Sequence, residues 1–176
     1  MSSSSSARST STTLRVDARL QADGCEESLE SALELRERLG WELEIAVFLR
    51  SEHEHELKRL AERLSDVPIA RVLVVHGDGQ SATPNETTPA ELVELVRRRF
   101  RRVPIAGGTD LNFCEFNRTR PVADAMDAIF YPVTPQVHAF DDISIVETLQ
   151  AQAQTVETAL TFAQGKPVVV SPITLK

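Results

Sequence analysis

Two stretches of this chain concentrate side chains that can hold polar oxygens or move protons. The first runs from Gly107 to Pro121 and carries Asp110, Asn112, Glu115, Asn117, Arg118 and Arg120. The second runs from Thr134 to Asp142 and carries Gln136, His138, Asp141 and Asp142. Carboxylates, amides and guanidinium groups mixed on one loop can bind polyol or carboxylate groups through hydrogen bonds. Histidine titrates near neutral pH, and a neighbouring carboxylate raises its pKa and orients its ring. Glu115 and His138 are therefore the candidate catalytic pair, suited to general acid–base work. Asp110, Asn112, Asn117, Arg118 and Gln136 are candidates for binding substrate, as is His76 in the earlier run His76-Gly77-Asp78-Gly79.

Each has a plainer reading. His76 can satisfy backbone groups at a strand end. His53 and His55 lie in a charged helix start and read as solvated surface. Cys114 has no base positioned beside it in sequence and reads as a small buried residue rather than a nucleophile. Asp141 and Asp142 can cap the helix that follows. Gly107-Gly108 makes a weak phosphate loop, since no P-loop lysine accompanies it.

Composition narrows the classes. Hydrophobic residues make up 41% and charged residues 26% of the 176 residues, which suits one globular domain with a real core. The net charge of -7 argues against a nucleic-acid partner, which calls for a basic face. Cys25 and Cys114 stand far apart with no metal spacing, so neither a disulfide framework nor a metal site is expected, and no cofactor motif is present. No apolar run approaches the length of a membrane span, and no secretory h-region opens the chain. A cytoplasmic protein without a membrane partner is expected.

The elements that must position these residues alternate. Met1 to Thr13 is nearly all Ser and Thr and is expected to be a disordered tail, with the domain proper spanning 14–176. Period-two alternation over Leu14–Leu20 predicts a first strand. Apolar runs predict further strands at Leu43–Leu49, Ile69–Val75, Val103–Ala106, Ala128–Val133 and Pro167–Leu175. Helical spacing predicts helices over Glu26–Leu39, around Leu57–Leu64, from Pro89 through Phe100 and from Val146 to Phe162. Thr88-Pro89-Ala90-Glu91 and Ser144-x-x-Glu147 read as capped helix starts. The fourth and fifth strands are joined by a long loop with no obvious helix.

Such alternation calls for a parallel sheet with right-handed crossovers. The absence of a glycine-rich turn after the first strand argues against a dinucleotide-binding sheet. Arg15, Asp17 and Arg19 share one face of the first strand. In an open two-sided sheet they would be buried under a helix, whereas in a barrel they can point inward, pair and line a polar site. They also read as a structural ion network, and an edge strand would explain them too. The prediction is an α/β fold, a partial (β/α)8 TIM barrel of about six β/α units with a disordered N-terminal tail.

Gly107-Gly-Thr-Asp110, Glu115-Phe-Asn-Arg118, Arg120-Pro121 and above all Pro135-Gln-Val-His-Ala-Phe-Asp-Asp142 with Ser144–Gln150 resemble the D-apionate lactonase family. The likeness covers Leu14 to Lys176 and is strongest from Gly107 onward. It implies the barrel domain of a hydrolase, related in fold to glycoside hydrolases, that opens a sugar-acid lactone in bacterial carbohydrate catabolism. It also implies a strand before Leu14, and a later acidic strand and β-rich domain after Lys176. The chain is thus expected to be a fragment whose partners are a small sugar-acid lactone and those further segments. Two alternatives stand beside the lactonase: a barrel enzyme acting on a glycosidic bond, and a non-catalytic remnant.

Overall fold

The computed structural model describes residues 13–20, 22, 24–77, 88–135 and 141–175. The expected tail, apart from Thr13, lies outside them. Strand and helix alternate in the order β1 (Thr13–Arg19), α1 (Cys25–Leu39), β2 (Glu42–Leu49), α2 (Glu54–Arg63), β3 (Ile69–His76), α3 (Ala90–Arg99), β4 (Ile105–Gly108), α4 (Phe113–Thr119), β5 (Ala128–Val133), α5 (Asp142–Phe162) and β6 (Val168–Ile173). The six strands form one parallel sheet in the order β1-β2-β3-β4-β5-β6. Each strand lies beside its sequence neighbours, as in a barrel wall, with no reversal of order. The architecture is a half-barrel.

The two faces of the sheet bury different side chains. One face packs under the helices: Val16 and Ala18, Leu43 to Leu49 at alternate positions, Val72 and Val74, Ile105, Ile129 and Tyr131 meet Leu29, Leu57, Val93, Val96, Phe116 and Ala159. The other face forms a separate apolar cluster of Ala46, Phe48, Leu73, Val75, Ala106, Ala128 and Phe130, the filling of the barrel interior. Period-two alternation sends Arg15, Asp17 and Arg19 to this inner side, where Arg19 lies 4.0 Å over the Phe48 ring. The inward placement of the β1 charges is as the barrel reading requires.

Two glycines explain themselves by geometry. Gly40 ends α1 in the left-handed region at φ 68°, its N–H donating to Arg36 O. At Gly108 a Cβ would sit 1.8 Å from Phe130 O, so β4 and β5 approach as only glycine allows. The Gly107-Gly108 pair thus serves strand packing, not a phosphate.

Several local expectations are corrected. The segment between β4 and β5 holds α4 and a 3-10 turn at Ala123–Ala125, not an unstructured loop. Phe113 and Phe116 anchor α4, with ring centroids 5.1 Å and 4.9 Å from Tyr131. Thr88 does not cap α3. Its hydroxyl donates to Val74 O and accepts from Gly108 N, stitching β3 to β4. Asp141, not Ser144, caps α5, accepting from Ser144 N and Ser144 Oγ. His53 is buried, its Nδ1 accepting from Arg50 N, while His55 is exposed as expected. Cys114 is exposed rather than buried.

Candidate functional site

Arg15, on the inner face of the N-terminal half of β1, organises a polar cluster that extends to Asp110, just past the C-terminal end of β4, the end where such barrels carry chemistry. Its Nε donates to Asp17 Oδ1 at 2.9 Å and one terminal nitrogen to Asp110 Oδ1 at 3.0 Å. The other terminal nitrogen donates to Ser171 Oγ at 3.3 Å, linking the first strand to the last across the open side. Asp110 lies two residues past the end of β4, so the Arg15 bridge reaches from β1 to the segment that leaves β4. Arg19 lies 3.5 Å from Asp17 Oδ2. Below this, Ser171 Oγ donates to buried Glu44, which also pairs with Arg71 at 3.6 Å. Arg15, Glu44 and Arg71 sit side by side in the strand register, a row of alternating charge.

Asp110 is the half-buried carboxylate of this cluster. Burial pushes its pKa up, the Arg15 guanidinium opposes that, and Asp17 adds to the rise. Oδ1 is held by Arg15, and Oδ2 makes no hydrogen bond among the described residues.

The other sequence candidates sit differently. Asn112 caps α4, its side-chain oxygen accepting from Glu115 N at 3.0 Å. The Glu115 carboxylate pairs with the Arg118 guanidinium one helical turn away, and Arg118 is largely exposed. Asn117 Oδ1 is buried without a hydrogen-bond partner among the described residues, the kind of orphan acceptor that calls for an explanation. Arg120 stacks 5.2 Å from the Phe162 ring centroid. His76 falls on the same side of β3 as Val72 and Val74, the side turned to the helices. Gln136 and His138 lie outside the described residues. β4 and β5 do pair, so the segments after them leave the sheet from adjacent strands.

Glu44, Arg71 and Ser171 were missed as site-type residues. A signal existed: Glu44 interrupts the apolar run Leu43-Glu-Ile-Ala-Val47 at an inward position of period two. A cavity of about 780 Å³ is lined by this lower group itself, Arg15, Glu44, Arg71 and Ser171, together with Thr13 and Glu42. It lies at the N-terminal ends of the strands, the end where residues serve stability, so it is not the candidate site. Among the described residues no cluster of His, Cys, Asp and Glu is arranged to hold a metal ion. No helix among them is long and apolar enough to cross a membrane.

A parallel half-barrel with a charged interior and polar segments at its C-terminal rim defines a domain of the TIM-barrel class. The family model described as D-apionate lactonase, TIM barrel domain, matches residues 3–176, and the chain belongs to that family. It is similar to the D-apionate lactonase of Brucella anthropi, 27% identical over 103 residues, a match covering 56% of this chain and 17% of that protein. The chain thus aligns with a small part of that relative. A GH5 cellulase from an Icelandic hot spring isolate shares the fold, with a TM-score of 0.53 at 9% identity over 92% of this chain and 56% of the cellulase.

Proposed function

We propose that this barrel serves a hydrolase that opens the ring of a sugar-acid lactone of the D-apionolactone type, adding water to give the free hydroxy acid. The observation that carries this reading is the Arg15–Asp110 bridge, a carboxylate turned into the barrel interior just past the end of a strand. Family membership supports the lactone as substrate class. The reaction needs a base for water, a donor for the developing oxyanion and an acid for the ring alkoxide. No cofactor enters this scheme.

His138 suits the protonation of the leaving alkoxide, with Glu115 proposed as the carboxylate that orients its ring. Asn117, whose buried oxygen lacks a partner among the described residues, suits a substrate hydroxyl. Arg118 and Gln136 complete the proposed binding groups, with Asn112 fixing the start of the helix that carries Arg118. The glycosidase alternative needs two carboxylates opposed across a sugar ring. Asp17 and Asp110 are instead gathered on one guanidinium.

The test uses the full-length protein with sugar-acid γ-lactones and, in parallel, aryl glycosides. Lactone hydrolysis is expected, with His138→Ala and Glu115→Gln each lowering the rate on the order of 10²–10⁴-fold. The double variant should be no worse than the more damaged single variant, because the pair acts as a unit. Glycoside cleavage without lactone opening sinks the proposal.

A further inference from the structure

We infer that Asp110 is the group that takes the proton from the attacking water. The inference rests on the lactone-hydrolase reading above and deepens it. Of the other charged side chains between Thr109 and Arg120, Glu115 and Arg118 pair with each other and Arg120 lies over the Phe162 ring, while Asn112 caps the helix and the Asn117 oxygen is buried. The Glu115 carboxylate is engaged by Arg118, and in the reading above it serves the proton donor. Asp110 instead enters the barrel interior. Arg15 clamps Oδ1 and leaves Oδ2 without a partner among the described residues. A clamped carboxylate with one unengaged oxygen at the strand C-termini is the geometry a general base needs.

The step balances on these groups. Oδ2 accepts a proton from water as the water oxygen bonds to the lactone carbonyl carbon. The carbonyl electron pair moves onto its oxygen, then returns as the ring C–O bond breaks. The released alkoxide is protonated by the general acid that the lactone-hydrolase reading requires. The product acid ionises, Asp110 returns its proton to solvent, that acid regains one, and one proton is released per turnover. Nothing is oxidised or reduced.

Burial supports the role by raising the Asp110 pKa, which strengthens it as a base. The charged groups that face it are Arg15, Asp17 and Arg19, all on β1. Asp110 is ionised and competent only above its raised pKa. The acidic limb of kcat/KM should therefore lie above the ordinary aspartate value.

The experiment compares wild type with Asp110→Asn and Asp110→Ala in the full-length protein, on a sugar-acid γ-lactone. Asp110→Asn should lose kcat on the order of 10²–10⁴-fold, with KM little changed and the acidic limb gone. Added formate should restore part of the rate in Asp110→Ala, which a merely structural carboxylate would not produce. Asp110→Asn that folds and keeps a near-wild-type kcat overturns the assignment while leaving the lactonase reading intact. If Asp110→Asn loses cooperative unfolding, Asp110→Glu keeps the charge on Arg15 but displaces the carboxylate, and an unchanged kcat there overturns it too. A wild type that opens no lactone overturns the functional reading and this assignment with it.

Discussion

The two ends of β4 carry two aspartates with opposite electrostatics. At the N-terminal end, Asp127 backs onto Ile105. Its carboxylate accepts from Ile105 N at 2.8 Å and from the Arg97 guanidinium at 3.0 Å, and its own N–H donates to Ile105 O. Partial burial alone would raise its pKa, but the amide and guanidinium outweigh it and hold Asp127 below the ordinary range. At the C-terminal end, Asp110 also has an arginine, yet burial and the nearby Asp17 win and its pKa rises. The difference is the number of donors on the charged form. The Asp127 carboxylate has two donors, which spend its charge on joining α3, β4 and the start of β5. Asp110 has one donor, and its charge is left available. The contrast sets a carboxylate engaged in packing and a carboxylate with a single donor at opposite ends of a strand of four residues.

The strongest way to break this contrast is to force β4 away from β5. Gly108→Ala would drive a methyl group into Phe130 O. The expected cost is about 3 kcal/mol or more, since backbone has no rotamer in which to yield. Urea unfolding measures it, and a loss near zero would show that the two strands separate freely.

A smaller effect separates the aspartates directly. Asp127→Asn should cost about 1 kcal/mol at neutral pH, discounted because the carboxylate is partly exposed. Its folded pKa lies below the unfolded value. The stabilisation is therefore present above the unfolded pKa and lost as pH falls through the folded one. Wild type and variant should converge in stability in acid. A pH-independent gap would mean that the carboxylate charge contributes nothing.

The smallest effect carries the opposite sign. The folded pKa of Asp110 is raised, so its stabilising contribution is present below the unfolded pKa and is lost as pH rises through the folded one. At neutral pH its ionised form is a cost. Asp110→Asn should then stay within about 0.5 kcal/mol of wild type, on the stabilising side. Thermal unfolding at pH 7 checks it. Clear destabilisation would make Asp110 a second structural aspartate and remove the contrast.

Much of this fold was legible in the chain because strand and helix patterns report local burial. The alternation in Leu14–Leu20 and the apolar runs of β2, β3 and β5 appear where expected, within a residue or two at their ends. α4 was missed because seven residues give too few turns for a period, and its polar surface masked Phe113 and Phe116. Thr88 has the sequence of a cap but serves two strands, because Val74 and Gly108 come within reach only in the folded sheet. Of the site, the polar character of the rim was legible. The use of each side chain was not.

By itself the sequence determined the alternation of strand and helix, the inward face of β1 and the crowding of polar groups after β4. These follow from side-chain period and composition, which act along the chain. Only the tertiary structure decided that Arg15 reaches Asp110 and Ser171 from 95 and 156 residues away. It also decided that Asn112 and Glu115 face their own helix. Hydrogen-bond partners are assigned by distance in space, and in a barrel wall the curvature of the sheet, not the order of the chain, sets that distance.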